Sequence, residues 1–88
     1  MVIRTLTDTD LDAALALNNA SVPAVNELDT TAATGLLALA HMALVAEVDG
    51  AFAGFCWCLG PGQPYESLNY RWFSNRYDDF SYLDRIAV

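Results

Sequence analysis

The amino-acid sequence predicts an α+β domain on a mostly antiparallel sheet, with its elements in the order β-α-α-β-β-(α)-β. Two strand-like runs flank a turn dipeptide in "MALVAEVDGAFAGFCWCLG". Two segments with helical features precede them, at 7–20 and 30–43. The sequence then closes on "FSYLDRIAV", whose aromatic and β-branched side chains favour a strand.

Length and charge limit what the chain binds. Its 88 residues predict one domain, 1–88, with a small core, and 55% hydrophobic with 17% charged residues is typical of a folded protein. The formal net charge is −7, with four arginines and no lysine. Such a chain has no basic stripe for phosphate backbones or anionic lipids, so we expect no nucleic-acid and no membrane partner. Its field favours a basic or amine-bearing partner.

Two features bear on the compartment. The amino terminus lacks the basic and apolar segments of a secretory signal, and the longest apolar run, "GLLALAHMALVA", is shorter than the roughly 20 residues that span a bilayer. Cys56 and Cys58 lie two apart on one face of a predicted strand, where a disulfide would be strained. We therefore expect reduced, packed cysteines in a cytoplasmic protein, and no metal site.

The amino-terminal elements follow from local signals. "VIRTL" (2–6) alternates apolar and polar residues and predicts a strand. In the helix over 7–20, Thr7 is the expected cap and Asp10, three residues on, its capping-box partner. Pro23 and its polar neighbours indicate a loop over 21–29. A second, weaker helix over 30–43 is interrupted by Gly35, and places His41 at an apolar helix end as a core histidine.

The clearest local signal is a hairpin around Asp49-Gly50, a dipeptide that favours a type I′ turn because both central residues need positive φ. A strand that is apolar on both faces is buried on both, so the second arm predicts a cover on each side of the sheet. Its residues are Phe52, Gly54, Cys56 and Cys58 on one face and Ala53, Phe55, Trp57 and Leu59 on the other.

A short helix is expected in the aromatic segment "YESLNYRWFSNRYDDF", before the last strand. Strict alternation in that strand places Asp84 among apolar and aromatic neighbours. Burial of a carboxyl favours its uncharged form, which suits Asp84 to accept a proton from an ammonium. The alternative is structural, with Asp84 paired to Arg4, Arg71 or Arg76, and Arg85 paired to an acid such as Glu47. By the same alternation one face carries Phe80, Tyr82, Asp84, Ile86 and Val88, and the other Ser81, Leu83, Arg85 and Ala87.

The order of elements and four strings together resemble the amino-terminal half of the GNAT N-acetyltransferase superfamily. The strings are "IRTLTDTDLDAALALNN" for the first strand and helix, "VPAVNELD" for the loop between the helices, "VAEVDGAFAGF" for the hairpin, and "NYRWFSNRYDDFSYLDRIAV" leading into the fourth strand. The resemblance covers all 88 residues. It implies a partial GNAT fold, in which acetyl-CoA is the acyl donor and a small-molecule or peptide amine is the acceptor.

The resemblance also assigns site residues. It implies that Asp84 is the general base, and that the main chain of Ile86, Ala87 and Val88 binds the pantetheine arm and polarises the thioester carbonyl. The acceptor pocket of the superfamily lies between the first helical region and the segment before the fourth strand. Here that pocket corresponds to Asn19, Val22 and Asn26 on one side and Tyr70, Trp72 and Phe73 on the other.

Two functions follow as expectations. In the superfamily a Gly-rich loop after the fourth strand holds the pyrophosphate of acetyl-CoA, and this sequence stops at Val88, before such a loop. The first expectation is therefore an incomplete N-acyltransferase, inactive without a complementing carboxy-terminal half and very weak in binding coenzyme A. The alternative is a non-catalytic binding domain that forms a homodimer through the last strand, whose edge has no lysine or proline to block pairing.

Overall fold

The computed structural model describes residues 1–23, 25–65 and 67–88. This part of the chain is α+β, with a four-stranded antiparallel sheet in the order β1-β2-β3-β4 and three α-helices, which confirms the predicted order of elements. The elements are β1 (Val2–Thr5), a 3₁₀ turn (Asp8–Asp10), α1 (Leu11–Ala20), α2 (Thr30–Leu39), β2 (Ala40–Val48), β3 (Ala51–Leu59), α3 (Leu68–Arg76) and β4 (Tyr82–Ala87).

The predicted pairing of Thr7 with Asp10 is present at the start of the first helical segment. The Thr7 backbone N–H donates to Asp10 Oδ2 over 2.8 Å. Both Asp10 carboxylate oxygens also accept from the Arg4 guanidinium at 2.7 Å, and Arg4 Nε bonds to Glu47. The Arg4 hydrogen bond holds the pKa of Asp10 well below its usual range. The cluster therefore joins β1, the first helix and β2.

The second helix ends earlier than the sequence predicts. Asp29 caps α2 by accepting from the Ala32 N–H over 2.7 Å, and the helix stops at Leu39 because Ala40 takes extended backbone angles and pairs with Leu59. His41 therefore lies in β2, exposed, with Nε2 2.8 Å from Ser81 Oγ, and its prediction as a core histidine at a helix end is wrong. No Gly or Pro marks the change from helix to strand, so the apolar pattern continues through it.

The hairpin is confirmed, but the predicted placement of Phe52 on the face of Gly54, Cys56 and Cys58 is wrong. A register shift between Ala46 and Glu47 places Phe52 on the side of Phe55, and their ring centroids are 6.5 Å apart. Asp49 and Gly50 have φ values of 52° and 78°, the two positive values that a type I′ turn needs. The turn aligns β2 with β3 so that Val45 lies opposite Phe55 and Ala43 opposite Trp57. These pairs fix which side chains point toward the helices.

All three helices lie on one side of the sheet, which we call the covered face. Its core is a single cluster in which Trp57 and Leu59 of β3 and Val45 of β2 are almost completely buried. Ring stacking extends the cluster from Phe55 and Trp57, whose centroids are 5.1 Å apart. The buried members are Ala14, Leu36, Val45, Phe55, Trp57, Leu59, Tyr70 and Ala87.

The opposite side, which we call the open face, is not covered by any described element, so the prediction of a cover on each side is wrong. Strand alternation places no charged side chain on this face. Its apolar side chains are nevertheless open to solvent, since Ile86 is 56% and Val88 90% exposed. A shallow apolar cleft of about 140 Å³ runs across it. By strand pairing its residues are Ile3, Thr5, Met42, Leu44, Ala46, Gly54, Cys56, Cys58, Leu83, Ile86 and Val88.

A β-bulge in β4 overturns the predicted alternation of the last strand. Trp57 pairs with Arg85 and Cys58 with Leu83, which leaves Asp84 as the extra residue. Leu83 and Ile86 consequently share the open face although they are three residues apart. Asp84 lies with Trp57 on the covered side, so the prediction that it shares a face with Ile86 and Val88 is wrong.

Candidate functional site

The bulge places a carboxylate inside the protein. Only 4% of the Asp84 side chain is exposed. Oδ2 accepts from the indole Nε1–H of Trp57 at 3.0 Å and from Arg85 Nε at 2.9 Å, and Oδ1 accepts from the Tyr65 hydroxyl at 2.5 Å. All three partners of this carboxylate are donors, and one of them is a cation.

Arg85 joins this carboxylate to the loop between α1 and α2. Its Nη1 donates to Asn18 Oδ1 at 2.9 Å and to the backbone carbonyl of Asn26 at 3.2 Å. Its guanidinium carbon lies 5.5 Å from the centroid of the Trp57 ring. The predictions that Asp84 pairs with Arg4, Arg71 or Arg76 and that Arg85 pairs with Glu47 are therefore wrong. The bulge turns Arg85 inward beside Asp84, and Glu47 bonds to Arg4 instead.

Tyr65 connects Asp84 with a cavity at the surface. Burial, and next its hydrogen bond to the Asp84 carboxylate, raise the pKa of the Tyr65 phenol to about 12. The phenol therefore stays protonated near neutral pH and donates to Asp84. Tyr65 also lines a cavity of about 390 Å³. A group in that cavity is thus one side chain away from the buried carboxylate.

The cavity lies between the loop after β3 and one side of α3. Tyr70, whose hydroxyl donates to the Gly60 carbonyl and accepts from the Gln63 N–H at 2.9 Å, fixes the loop on the helix. Ser74 Oγ accepts from the Gly62 N–H at 3.0 Å. The cavity is lined by Gly62, Gln63, Pro64, Tyr65, Tyr70, Arg71, Ser74 and Asn75, which gives it mainly polar walls.

Of the predicted acceptor residues in α1 and the loop after it, Asn26 is linked to Asp84 through its carbonyl, which accepts from Arg85. Asn19 holds the loop by accepting from the Leu28 N–H and donating to the Leu28 carbonyl, both at 2.9 Å. Val22 is an exposed turn residue.

The predicted acceptor residues on α3 divide into two groups. Tyr70 is buried and lines the cavity beside Tyr65, with ring centroids 5.5 Å apart. Trp72 and Phe73 are exposed and pack on each other, edge to face at 4.9 Å, and Arg76 lies over the Trp72 ring at 4.4 Å. Neither Trp72 nor Phe73 lines the cavity.

The predicted pantetheine-binding residues lie at the edge of the sheet. In the described part of the chain β4 pairs only with β3, so its outer backbone groups have no partner strand. Ala87 is buried on the covered face, and Ile86 and Val88 project from the open face. The backbone groups and not these side chains are therefore what the edge offers a ligand.

Sequence reasoning missed three members of the site, Tyr65, Trp57 and Asn18. Tyr65 lies in a loop without periodicity, so nothing local related it to Asp84. Trp57 was placed on a β3 face but not identified as a donor, because its partner depends on the bulge. Asn18 lies on the inner face of α1 and is fully buried. A polar side chain on the apolar face of a helix could have indicated a buried hydrogen-bond partner, here Arg85.

Three further features concern residues 1–23, 25–65 and 67–88. No group of three or more His, Cys, Asp and Glu side chains is arranged to hold a metal ion. Cys56 and Cys58 are free thiols, and burial raises the pKa of Cys56. No helix in these ranges has the length and apolar character needed to cross a bilayer.

The chain matches no protein-family model, no curated protein and no solved structure.

Proposed function

We propose that this chain carries the amine-activating half of an acyl-CoA-dependent N-acyltransferase site, with a primary amine as acceptor. The observation on which this rests is the buried Asp84 carboxylate, which accepts from the Tyr65 hydroxyl at 2.5 Å, while Tyr65 is one of the residues that line a polar cavity. Transfer to an amine requires removal of a proton from the ammonium, and a buried carboxylate with a path to the acceptor serves this purpose.

In this proposal the acceptor amine occupies the cavity of about 390 Å³ and contacts the Tyr65 hydroxyl. Tyr65 passes its own proton to Asp84 Oδ1 as it takes one from the ammonium, so that no phenolate forms despite the pKa of about 12. Hydrogen bonds from Arg85, Trp57 and Tyr65 hold the Asp84 carboxylate in place. We expect transfer by this chain to be slow, because the described residues offer only part of a site for the acyl donor.

The acyl donor fits the structure in part. The outer edge of β4 offers unpaired amide groups to the amides of a pantetheine arm, as the resemblance implies for Ile86, Ala87 and Val88. The described residues offer no cationic cluster for a diphosphate. Arg4 and Arg85 bond to carboxylates, and Arg71 and Arg76 lie on α3. Very weak binding of coenzyme A therefore stays our prediction.

The test uses S-acetylpantetheine and acetyl-CoA at about millimolar concentrations, the range of weak binding. Amide chemical shifts identify the binding site. We expect both donors to shift the amides of Ile86, Ala87 and Val88 to a similar extent, because the edge and not the phosphates supplies the contact. Shifts confined to other residues, or none, would count against the proposal.

Acyl transfer is measured by mass spectrometry with a panel of primary amines. Tyr65→Phe removes the relay and leaves the aromatic packing on Tyr70, so we expect at least about a tenfold loss of rate, within the range of general-base effects. The matched control is Tyr77→Phe, which removes an exposed hydroxyl outside the cavity. Equal rates in both variants would refute the role of Tyr65.

A second candidate is a non-catalytic interaction domain, favoured by the uncharged, uncovered open face. It predicts that Asp84 and Tyr65 stabilise the fold only. Under this alternative no amine is acylated, whereas changes on the open face alter binding to the partner.

A further inference from the structure

We propose that two copies of this chain pack through their open faces to form a dimer with the layer order helices, sheet, sheet, helices. This inference is independent of the proposed acyl transfer. It starts from the side chains of the open face. An antiparallel sheet tolerates water on one face when that face alternates to polar residues, and here the outward residues of β2, β3 and β4 are apolar or glycine. They are Met42, Leu44, Ala46, Gly54, Cys56, Cys58, Leu83, Ile86 and Val88.

The exposed apolar side chains of this face form one continuous surface and are not scattered single residues. Ile3 and Ile86 are each more than half exposed and Leu83 is 51% exposed, and they stand on one continuous sheet. The cleft between Ile3, Leu44 and Ile86 provides an indentation into which a facing side chain fits. Contiguous apolar surface of this kind marks an interaction site.

Charge favours a second copy as the occupant. The net charge is −7, so two copies repel each other wherever their carboxylates meet. Within the described ranges the strands place no charged side chain on the open face, and the two charges of β4, Asp84 and Arg85, are buried and bonded to each other. No described side chain on this surface therefore selects a partner of opposite charge. The exposed side-chain carboxylates of the described residues lie on the helices, the loops and the hairpin turn, at Asp8, Asp12, Glu27, Asp29, Asp49, Asp78 and Asp79.

Shape and size lead to the same occupant. A sheet face of one kind is self-complementary about a two-fold axis, and two such faces pack about 10 Å apart with their strands nearly aligned. Four strands at about 4.8 Å and six residues at about 3.3 Å give a projected area of roughly 400 Å² per copy, or roughly 800 Å² for both copies. This is less than a stable dimer needs and falls among weak, transient contacts, so we expect a reversible dimer whose dissociation constant lies between micromolar and millimolar.

The first experiment is sedimentation of the whole chain from about 1 µM to about 1 mM, a range that brackets this dissociation constant. We expect a monomer–dimer equilibrium that shifts toward dimer when salt rises from about 0.02 to about 0.5 M, because screening reduces repulsion between the two acidic copies. A monomer at all concentrations would overturn the proposal. Association that weakens with salt would also do so, since it indicates contact between opposite charges.

Two variants with the same change of charge locate the interface. Ile86→Lys introduces an ammonium into the proposed contact, and we expect at least about 100-fold weaker association, because a buried unpaired charge is strongly unfavourable. Leu68→Lys makes the same change at an 82% exposed position on α3, and we expect no effect on association. A dimer that survives Ile86→Lys, or is lost equally in both variants, would refute the open face as the interface.

Cys56 gives a readout that does not depend on mass. Its thiol lies half-buried in the open face and lines the cleft. In a Cys58→Ala background, alkylation of Cys56 by an uncharged reagent should slow at least about tenfold between micromolar and millimolar protein, as the dimer becomes the main species. The Ile86→Lys variant should show no such slowing. An alkylation rate that is independent of wild-type concentration would contradict the dimer.

Discussion

The two faces of the sheet differ in one respect that hydrophobicity alone does not reveal. The covered face contains a buried ion pair whose carboxylate accepts from a phenol and an indole N–H and whose guanidinium donates to an asparagine. The strand residues that the structure describes on the open face are apolar, apart from Thr5. Polar groups are tolerated where other elements bring partners to them. The covered face has such partners because the segments 25–29 and 60–65 reach across it.

Strand β3 makes the comparison within one element. Phe55, Trp57 and Leu59 point to the helices, and Gly54 and Cys56 point to the open face. Both sets are apolar, so the sequence predicted burial on both sides. Only the covered side received helices. An apolar face indicates that a cover is needed and does not indicate which chain provides it.

The largest expected effect comes from breaking the ion pair on the covered face. Arg85→Met removes the cation and leaves the Asp84 carboxylate and the Asn18 side chain without it. We expect a loss of about 3–5 kcal/mol in the free energy of unfolding, the usual result of stranding one partner of a buried pair. Urea denaturation followed by circular dichroism measures it.

A double-variant cycle sharpens this prediction. Asp84→Asn in the Arg85→Met background removes the stranded charge, so we expect recovery of at least about 1 kcal/mol relative to the single variant. A loss below about 1 kcal/mol in Arg85→Met alone would show that water reaches the pair and that the covered face is less dry than described.

The next effect tests how closely β4 approaches β3. A Cβ on Gly54 would lie 2.8 Å from the Ala87 carbonyl oxygen and from Val88 Cγ1. Gly54→Ala therefore has to separate the strands, and we expect a loss of about 1–3 kcal/mol. In Gly35→Ala nothing lies within 4 Å of the new Cβ inside α2, so we expect a gain of about 0.5–1 kcal/mol. Thermal unfolding of both should give shifts of opposite sign.

A smaller effect concerns the acidic limit of stability. The pKa of Asp10 is well below its unfolded value of about 3.9 because of Arg4. The stabilisation is therefore fully present above that value and is lost as the pH falls through the folded-state pKa. Asp10→Asn should cost about 1 kcal/mol near neutral pH, the usual worth of a helix-start contact, and much less in strong acid. Urea midpoints from neutral to strongly acidic pH test this, and a pH-independent difference would contradict it.

The smallest effect is expected on the open face. Leu83→Thr shortens a half-exposed side chain on the open face, so we expect a change within about 0.5 kcal/mol for the monomer. The measurement requires micromolar protein, where the monomer dominates. A loss above about 1 kcal/mol would mean that Leu83 already packs against part of the same chain.

The sequence was sufficient where a local signal fixes the backbone. Asp49-Gly50 predicted the hairpin turn, and Thr7 with Asp10 predicted the start of the first helical segment, because both depend on neighbours within four residues. It failed at Ala40, where a helix becomes a strand inside an unbroken apolar run. There the long-range pairing of Ala40 with Leu59 determines where the helix ends, and no local residue pattern in the run indicates that pairing.

Of the candidate site, the sequence predicted the central residue, Asp84, and not the side chains that bond to it. Asp84 is buried as expected, but the face on which it lies depends on a bulge that two-residue periodicity cannot reveal. Its partners come from a loop, from β3 and, through Arg85, from α1. Tertiary packing sets contacts between residues as far apart in sequence as Asn18 and Arg85, so local sequence patterns do not predict them.

Trp57 has a practical consequence for optical spectroscopy. The chain contains two tryptophans, one buried and one exposed, and the buried indole donates its N–H to Asp84 Oδ2. In a Trp72→Phe background the fluorescence of the protein comes from an indole whose nearest charges are the Asp84 carboxylate and the Arg85 guanidinium. Its emission maximum and lifetime would respond to any rearrangement of this pair, so the buried site can be followed in the intact protein without a label.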